Sequence, residues 1–306
     1  MSFAGELKKE LCETDVRQSR RAFAECYGMA IASRAFDLDS VQLVTESERV
    51  AGRYAKLAKK LCGVTPEISD RVRSDGSKVY SVSITDPGER RKWLGLFGHD
   101  GGSGRRIRYE NLPDESVIPD FMRGVYLACG SMSDPNKSYH LELAVPFSEL
   151  SGELAALLGR LLARPKQVRR RGDYVLYYKE SENIEDLLTF IGAPKRALEI
   201  MEIKVMKDVR NNVNRRTNCE TANIDKTVAA SARQVADIAF ITEKYGMEFL
   251  PENLREIARL RLENPEMSLA ELGAALDEPI SRSGVNHRLE RIAAIADELR
   301  GKGATD

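Results

Sequence analysis

Two glycine-centred apolar segments, 96 residues apart, constrain this chain more than any other feature of it. In the later one, 117–135 (VIPDFMRGVYLACGSMSDP), Phe121, Val125 and Ala128 fall at helical spacing. Gly124 and Ala128 leave a shallow face on that helix. In the earlier one, 23–33 (FAECYGMAIAS), Gly28 and Ala32 leave the same face. Small residues four apart let two helices approach backbone to backbone, in water as in a membrane. The two segments are therefore expected side by side at the centre of one domain.

The order of elements around them repeats. After the first segment come a strand pattern VQLVT (41–45), a helix stopped by Gly63, a hairpin turning at Asp75-Gly76, and a helix opened by Asp86-Pro87. After the second come the strand YHLELAV, the helix FSELSGELAALLGRLLA, the hairpin KQVRRRGDYVLYYK turning at Gly172-Asp173, and the helix SENIEDLLTFIG. Gly76 and Gly172 lie 96 apart (172 − 76), as do Gly28 and Gly124 (124 − 28). Two independent offsets that agree predict a duplicated α-β-α-β-β-α unit. Residues 1–20 read as an amphipathic helix carrying Phe3, Leu7 and Leu11. The stretch 98–116, GHDGGSGRRIRYENLPDES, reads as an exposed connector; it lacks the Lys-Ser/Thr ending of a phosphate-cradling loop.

At 306 residues the chain has room for two domains, and its net charge of zero gives no global commitment to nucleic acid. A nucleic-acid surface must then be local. No apolar run is long enough to span a bilayer, so the expectation is a cytoplasmic protein with no membrane contact. The five cysteines, Cys12, Cys26, Cys62, Cys129 and Cys219, are scattered without metal-ligand spacing, which predicts no metal and no cofactor.

Composition changes at 195–229, which is Asn-rich; from 204 to 233 there are seven cations and three acids. This stretch is expected to be a bridge between domains. Beyond it, helical patterns cover 232–246 and 251–264. Ser268 and Glu271 then form a capping box for a short helix, and a longer helix runs from Arg282 to about Leu299. Short helix, tight break and longer basic helix have the cadence of a helix-turn-helix. On the last helix Val285, Leu289, Ile292 and Leu299 share the core face. Ser283, Asn286, His287, Glu290 and Arg291 share the opposite one, with Arg282 and Arg288 flanking it. These are side chains that read base edges and grip phosphates, and Gly284 is expected to let a backbone approach closely. A solvated face on a helical bundle is the plain alternative. A second basic candidate is the hairpin tip Arg169, Arg170 and Arg171, where phosphate contact and simple solvation weigh equally. His99, His140 and His287 have no nucleophile motif around them.

The duplicated unit resembles a single-chain LAGLIDADG homing endonuclease, in which two motif helices pack on a pseudo-two-fold axis and deliver metal-binding acids. MRGVYLACG (122–130) and, more loosely, CYGMAIASR (26–34) match the motif. Here Cys129 and Ser33 stand at the metal-binding acid positions, and Leu127 and Ile31 at the other acid of the motif. Without carboxylates a hard cation has little to hold it. With the Asn-rich bridge and the C-terminal helix-turn-helix, the whole resembles the WhiA family of bacterial DNA-binding proteins linked to sporulation and cell division. MSFAGELKKELC, FMRGVYLACGSMSDPNKSYHLEL, NRRTNCETANIDKT and SLAELGAALDEPISRSGVNHRLERI carry the resemblance.

What the resemblance implies is an α+β fold: a catalytically degenerate endonuclease-like domain at 1–194, a basic linker at 195–229 and a helix-turn-helix domain at 230–306. It implies a sequence-specific, non-catalytic regulator of transcription, division or chromosome segregation, located at the nucleoid. Its partners would be double-stranded DNA and other transcription or division factors. Asn214, Arg215, Arg216 and Asn218 of the bridge either touch DNA or set domain geometry. The rival functions are a metal-dependent endonuclease using other carboxylates and a protein-interaction scaffold.

Overall fold

In the computed structural model, which describes residues 2–15, 17–102 and 104–302, the two glycine-centred segments are helices α2 (Ser19–Ile31) and α5 (Ile118–Cys129). They touch at their glycines. A Cβ on Gly28 would stand 2.1 Å from the Phe121 carbonyl oxygen, and one on Gly124 would stand 2.0 Å from that of Glu25. Only a residue without a side chain fits either place.

The single arginine of the later segment is part of this contact. Arg123 is 3% exposed; its Nε donates to Glu25 Oε2 at 2.7 Å, and its Nη2 donates to Asp120. Glu25, on α2, is wholly buried. It also accepts from Arg53 of helix α3 (Glu48–Cys62), whose guanidinium reaches on to the carbonyls of Cys12 (2.6 Å) and Thr14 (2.9 Å). Breaking such a buried pair costs about 3–5 kcal/mol, because the orphaned charge stays buried. The hydropathy pattern gave no sign of this network. Helix α1 (Phe3–Glu13) buries Leu7 and Leu11, but it stops well before α2, so residues 1–20 are not one helix. Val16, within that expected helix, lies outside the described residues.

Each half builds one antiparallel four-stranded sheet. The first is ordered β1-β2-β4-β3, from β1 (Ala35–Phe36), β2 (Val41–Thr45), β3 (Glu67–Val72) and β4 (Lys78–Ile84). The second is ordered β5-β6-β8-β7, from β5 (Gly130–Met132), β6 (Leu141–Val145), β7 (Lys166–Arg170) and β8 (Asp173–Tyr178). The duplication is thus carried through to strand order. Strands β1 and β5, two and three residues long, follow directly on the motif helices and are too short to show alternation. Helices α4 (Pro87–Leu96), α6 (Ser148–Leu161) and α7 (Ser181–Ile191) complete the repeats, with Asp86 capping α4 through the Glu89 amide at 2.7 Å.

Two expectations need correction. The second hairpin turns one residue earlier than Gly172-Asp173. Arg170 pairs with Asp173, leaving Arg171 and Gly172 as a two-residue loop with φ of 52° and 92°. Such a loop wants positive φ at both positions, and an arginine occupies the first of them. The connector 98–116 is not an exposed linker either. Arg105, 5% exposed, donates to the carbonyls of Ile31 (3.3 Å), Ser33 and Arg34 (3.1 Å), and its guanidinium lies 4.2 Å from the Phe147 ring centre. Ile107 and Leu112 are buried as well. Tyr27 accepts from the Arg108 amide at 2.7 Å, and its hydroxyl is hydrogen-bonded with His99 Nε2 at 3.2 Å. Burial and the charges of Arg108 and Arg105 hold the His99 imidazole down at about 4.

Helix α8 runs from Pro194 to Tyr245. The Asn-rich stretch 195–229 lies inside it, and neither proline nor glycine interrupts it between those ends. The chain divides into two compact units, 1–208 and 209–306. The second contains the later part of α8, then α9 (Glu252–Glu263), α10 (Leu269–Ala274) and α11 (Arg282–Lys302). Among the described residues no helix is long and apolar enough to cross a membrane.

Two outcomes are expected from these contacts. Gly28→Ala or Gly124→Ala should cost about 3 kcal/mol or more in urea unfolding, since a methyl group meets main chain that cannot retreat. Gly52→Ala on α3, where the added methyl meets open space, should instead stabilise by about 0.5–1 kcal/mol. His99 binds its proton only near pH 4 when folded but near 6.5 when unfolded. Between those values the unfolded chain therefore holds more protons, so the stability that His99 confers is complete above 6.5 and lost as pH falls toward 4. Urea midpoints across that window should fall less steeply for His99→Gln than for the parent chain.

Candidate nucleic-acid interface

The second unit builds a three-helix frame on the end of α8. Ile238 and Ile241 of α8, Leu254 and Ile257 of α9, Leu272 of α10, and Val285, Leu289 and Ile292 of α11 form one apolar cluster. The predicted core face of the last helix is thus the buried one, with Leu299 packed at its margin and Ala296 added to it. Ser268 and Glu271 make the reciprocal capping box: Ser268 Oγ accepts from the Glu271 amide at 3.3 Å, and Glu271 Oε2 accepts from the Ser268 amide at 2.8 Å. The turn closes when the Ile280 amide donates to the Gly273 carbonyl at 3.1 Å. Ser281 Oγ then accepts from the Gly284 amide at 3.2 Å, starting α11.

On the outer face of α11, Arg282, Ser283, His287, Glu290 and Arg291 are exposed, while Asn286 and Arg288 are half-buried. Two contacts add to the sequence reading. Asn286 Nδ2 donates to Glu290 Oε1 at 2.8 Å. Gly284 packs against the Ile280 side chain, 3.3 Å from where its Cβ would be.

Pairing separates the cations of this unit into two groups. Arg300 bonds Asp237 (2.7 Å) and Asp297 (3.3 Å), Arg255 bonds Glu248 (2.6 Å), and Arg216 bonds Glu220 (2.9 Å). Arg282, Arg288 and Arg291, all on the first half of α11, have no acidic partner among the described residues. Of the bridge pair, Arg215 donates to Asn212 at 2.7 Å, and both it and Arg216 are exposed on α8. Arg169, Arg170 and Arg171 belong to the first unit. Arg169 lies over the Tyr174 ring, Arg170 reaches Glu142 at 3.3 Å, and Arg171 occupies the loop.

The ends of the two motif helices lie in the first unit. Ser33, 3% exposed, donates to the carbonyls of Ala30 (2.7 Å) and Ala35 (3.1 Å). The Cys129 thiol donates to the Val125 carbonyl at 3.2 Å, and burial pushes it up to about 12. Ile31 and Leu127 are core residues. The charges beside these four positions are mostly positive. Arg105 closes the end of α2, and Lys8 shares a cavity of about 600 Å³ with Ser33, Cys129, Arg34, Arg71 and Arg73. Burial pulls the Lys8 ammonium down, opposed by its interaction with Cys129. A divalent cation entering here would meet fixed positive charge and one carboxylate, Glu46, which is already paired with Arg73. Neither other histidine joins a catalytic set: His140 contacts Glu142 at 3.3 Å, and His287 is exposed on α11.

Fold and site define a chain with two repeats of LAGLIDADG type followed by a helix-turn-helix. Comparison with known proteins agrees. Residues 118–210 match the WhiA LAGLIDADG-like domain, and residues 213–296 match the WhiA C-terminal HTH domain. A "Probable cell division protein WhiA" from Clostridium acetobutylicum is 39% identical over 99% of this chain and all of its own length. The protein of the same name from Clostridium novyi is 37% identical with the same coverage. The crystal structure of full-length DUF199/WhiA from Thermatoga maritima is 26% identical, covers 97% of this chain and 99% of its own, and superposes with a TM-score of 0.59. The chain belongs to the WhiA family.

Proposed function

We propose that this chain is a sequence-specific DNA-binding regulator without nuclease activity, acting on transcription, cell division or chromosome segregation at the nucleoid. The observation that carries the reading is the set of three arginines on the first half of α11, Arg282, Arg288 and Arg291, none with an acidic partner among the described residues. An arginine without a carboxylate partner is available to phosphate or guanine without first breaking an ion pair. Ser283, Asn286 and His287 share that face and are the proposed base readers. Asn286 would have to leave Glu290 to read a base. In this reading 1–194 is the auxiliary domain, 195–229 the connecting segment and 230–306 the DNA-reading domain. Arg215, Arg216 and the Arg169–Arg171 tip serve as further phosphate contacts. The relatives named as probable cell division proteins support the division role.

The endonuclease alternative is disfavoured by the cations Arg105 and Lys8 at the motif-helix ends. Supercoiled plasmid incubated with the protein and Mg²⁺ or Mn²⁺ should stay uncut. For DNA binding, Arg288→Ala and Arg291→Ala should each weaken a duplex complex and lower the slope of log affinity against log salt by about 0.9 for each phosphate no longer neutralised. Arg300→Ala, which removes a cation already held by Asp237, should leave that slope unchanged. An unaltered slope in both α11 variants would defeat the assignment.

A further inference from the structure

Between α8, α9, α10 and α11 lies a cavity of about 450 Å³. Lys226 and Gln234 of α8, Arg261 of α9, and Arg282 and Asn286 of α11 line it, and no carboxylate does. Arg261 is the unusual member. It is 2% exposed and meets no acid among the described residues. Its Nη1 donates to the carbonyls of Met267 (2.7 Å) and Pro265 (3.2 Å) and lies 3.5 Å from Ser231 Oγ, while its Nε has no acceptor. Burial pulls this guanidinium below its ordinary range. A buried charge without a counter-ion is costly, and an anion placed beside it would relieve that cost.

The rim has the same character. Lys226 and Arg282 are exposed and have no hydrogen bond or ion pair among the described residues. Two acids that bond to lining residues are spent on them: Glu271 holds the Ser268 amide and Glu290 holds Asn286. Three cations thus surround one opening with no acid lining it. A compact, oxygen-rich anion is the complementary ligand.

We propose that this cavity seats one phosphate group, with Lys226 and Arg282 as its direct ligands and Arg261 as the buried charge behind them. The seat rests on the DNA-binding reading for its source, a phosphate of the DNA backbone beside the major groove that α11 enters. It also gives a task to the end of the Asn-rich block, since Lys226 comes from the segment NRRTNCETANIDKT.

The test uses the full chain carrying Lys226→Gln, Arg282→Gln or both. These side chains make no internal bonds, so the fold should persist. Binding of a labelled mixed-sequence duplex is followed by fluorescence anisotropy. Each single substitution should weaken binding about tenfold, as expected for one charge-assisted hydrogen bond. The double substitution should lose little more than either single one, because both ligands hold the same phosphate. In parallel, inorganic phosphate is titrated at constant ionic strength while Tm is measured. Coupled losses on DNA support the seat and identify backbone phosphate as its occupant. Unchanged DNA binding, with a saturable Tm rise in the parent that is absent from the double variant, supports the seat and identifies free phosphate instead. Independent or absent losses on DNA, together with no phosphate-dependent rise in the parent, overturn it. A parent chain that binds no duplex at low salt defeats the DNA-binding reading alone, and the phosphate titration then decides the seat.

Discussion

The main-chain contact between α2 and α5 sets the terms for the rest of the first unit. Two helices this close leave no room for side chains at the crossing, so the residues around it must satisfy everything that becomes buried there. Glu25 shows the consequence. Its carbonyl faces Gly124, its carboxylate is sealed from water, and Arg123 and Arg53 converge on it from two other helices. Because Arg53 also holds the end of α1, one buried carboxylate ties α1, α2, α3 and α5 together. Polar networks of this kind rigidify a core only when every member is satisfied.

Much of this was legible in the residues, and what was not has physical reasons. The 96-residue offset located both halves because glycine is demanded by geometry at each crossing and at each hairpin, and such positions tolerate little drift. The strands 41–45 and 141–145 and the Ser268 capping box were readable because alternation and capping are local. Arg123 was seen only as an interruption of an apolar run, since its partner Glu25 lies on α2, 98 residues away, and the Ile191 carbonyl it also reaches ends α7. Arg105 was lost in a Gly-rich stretch for the same reason: the carbonyls it satisfies belong to residues more than 70 positions away. The Asn-rich stretch looked like a linker because it lacks an apolar face, yet the absence of proline and glycine from 195 to 245 was the better guide to its helical state.

At the candidate DNA surface, residue types were legible from helical spacing and availability was not. Sequence placed Asn286 and Glu290 on one face, and the structure shows that they occupy each other. It likewise named Arg282, Arg288 and Arg291, but not that they stand without acidic partners while Arg300 further along the helix is neutralised by two aspartates. A chain of zero net charge can keep a local positive surface in this way: with 47 cations and 47 acids, each unpaired arginine here is balanced by an unpaired acid elsewhere, so the local charge is a matter of placement rather than of composition.

The connector between the repeats has a bearing on how the first unit can be dissected. Arg105 and Arg108 come after the last helix of the first half, yet they finish the end of α2 and anchor Tyr27, both inside that half. The natural boundary of the first repeat therefore lies beyond residue 108, not at the glycines near 98. The junction between the two repeats is thus a working part of the first of them. A fragment cut at the place where the sequence looks most like a seam would leave the end of α2 without Arg105.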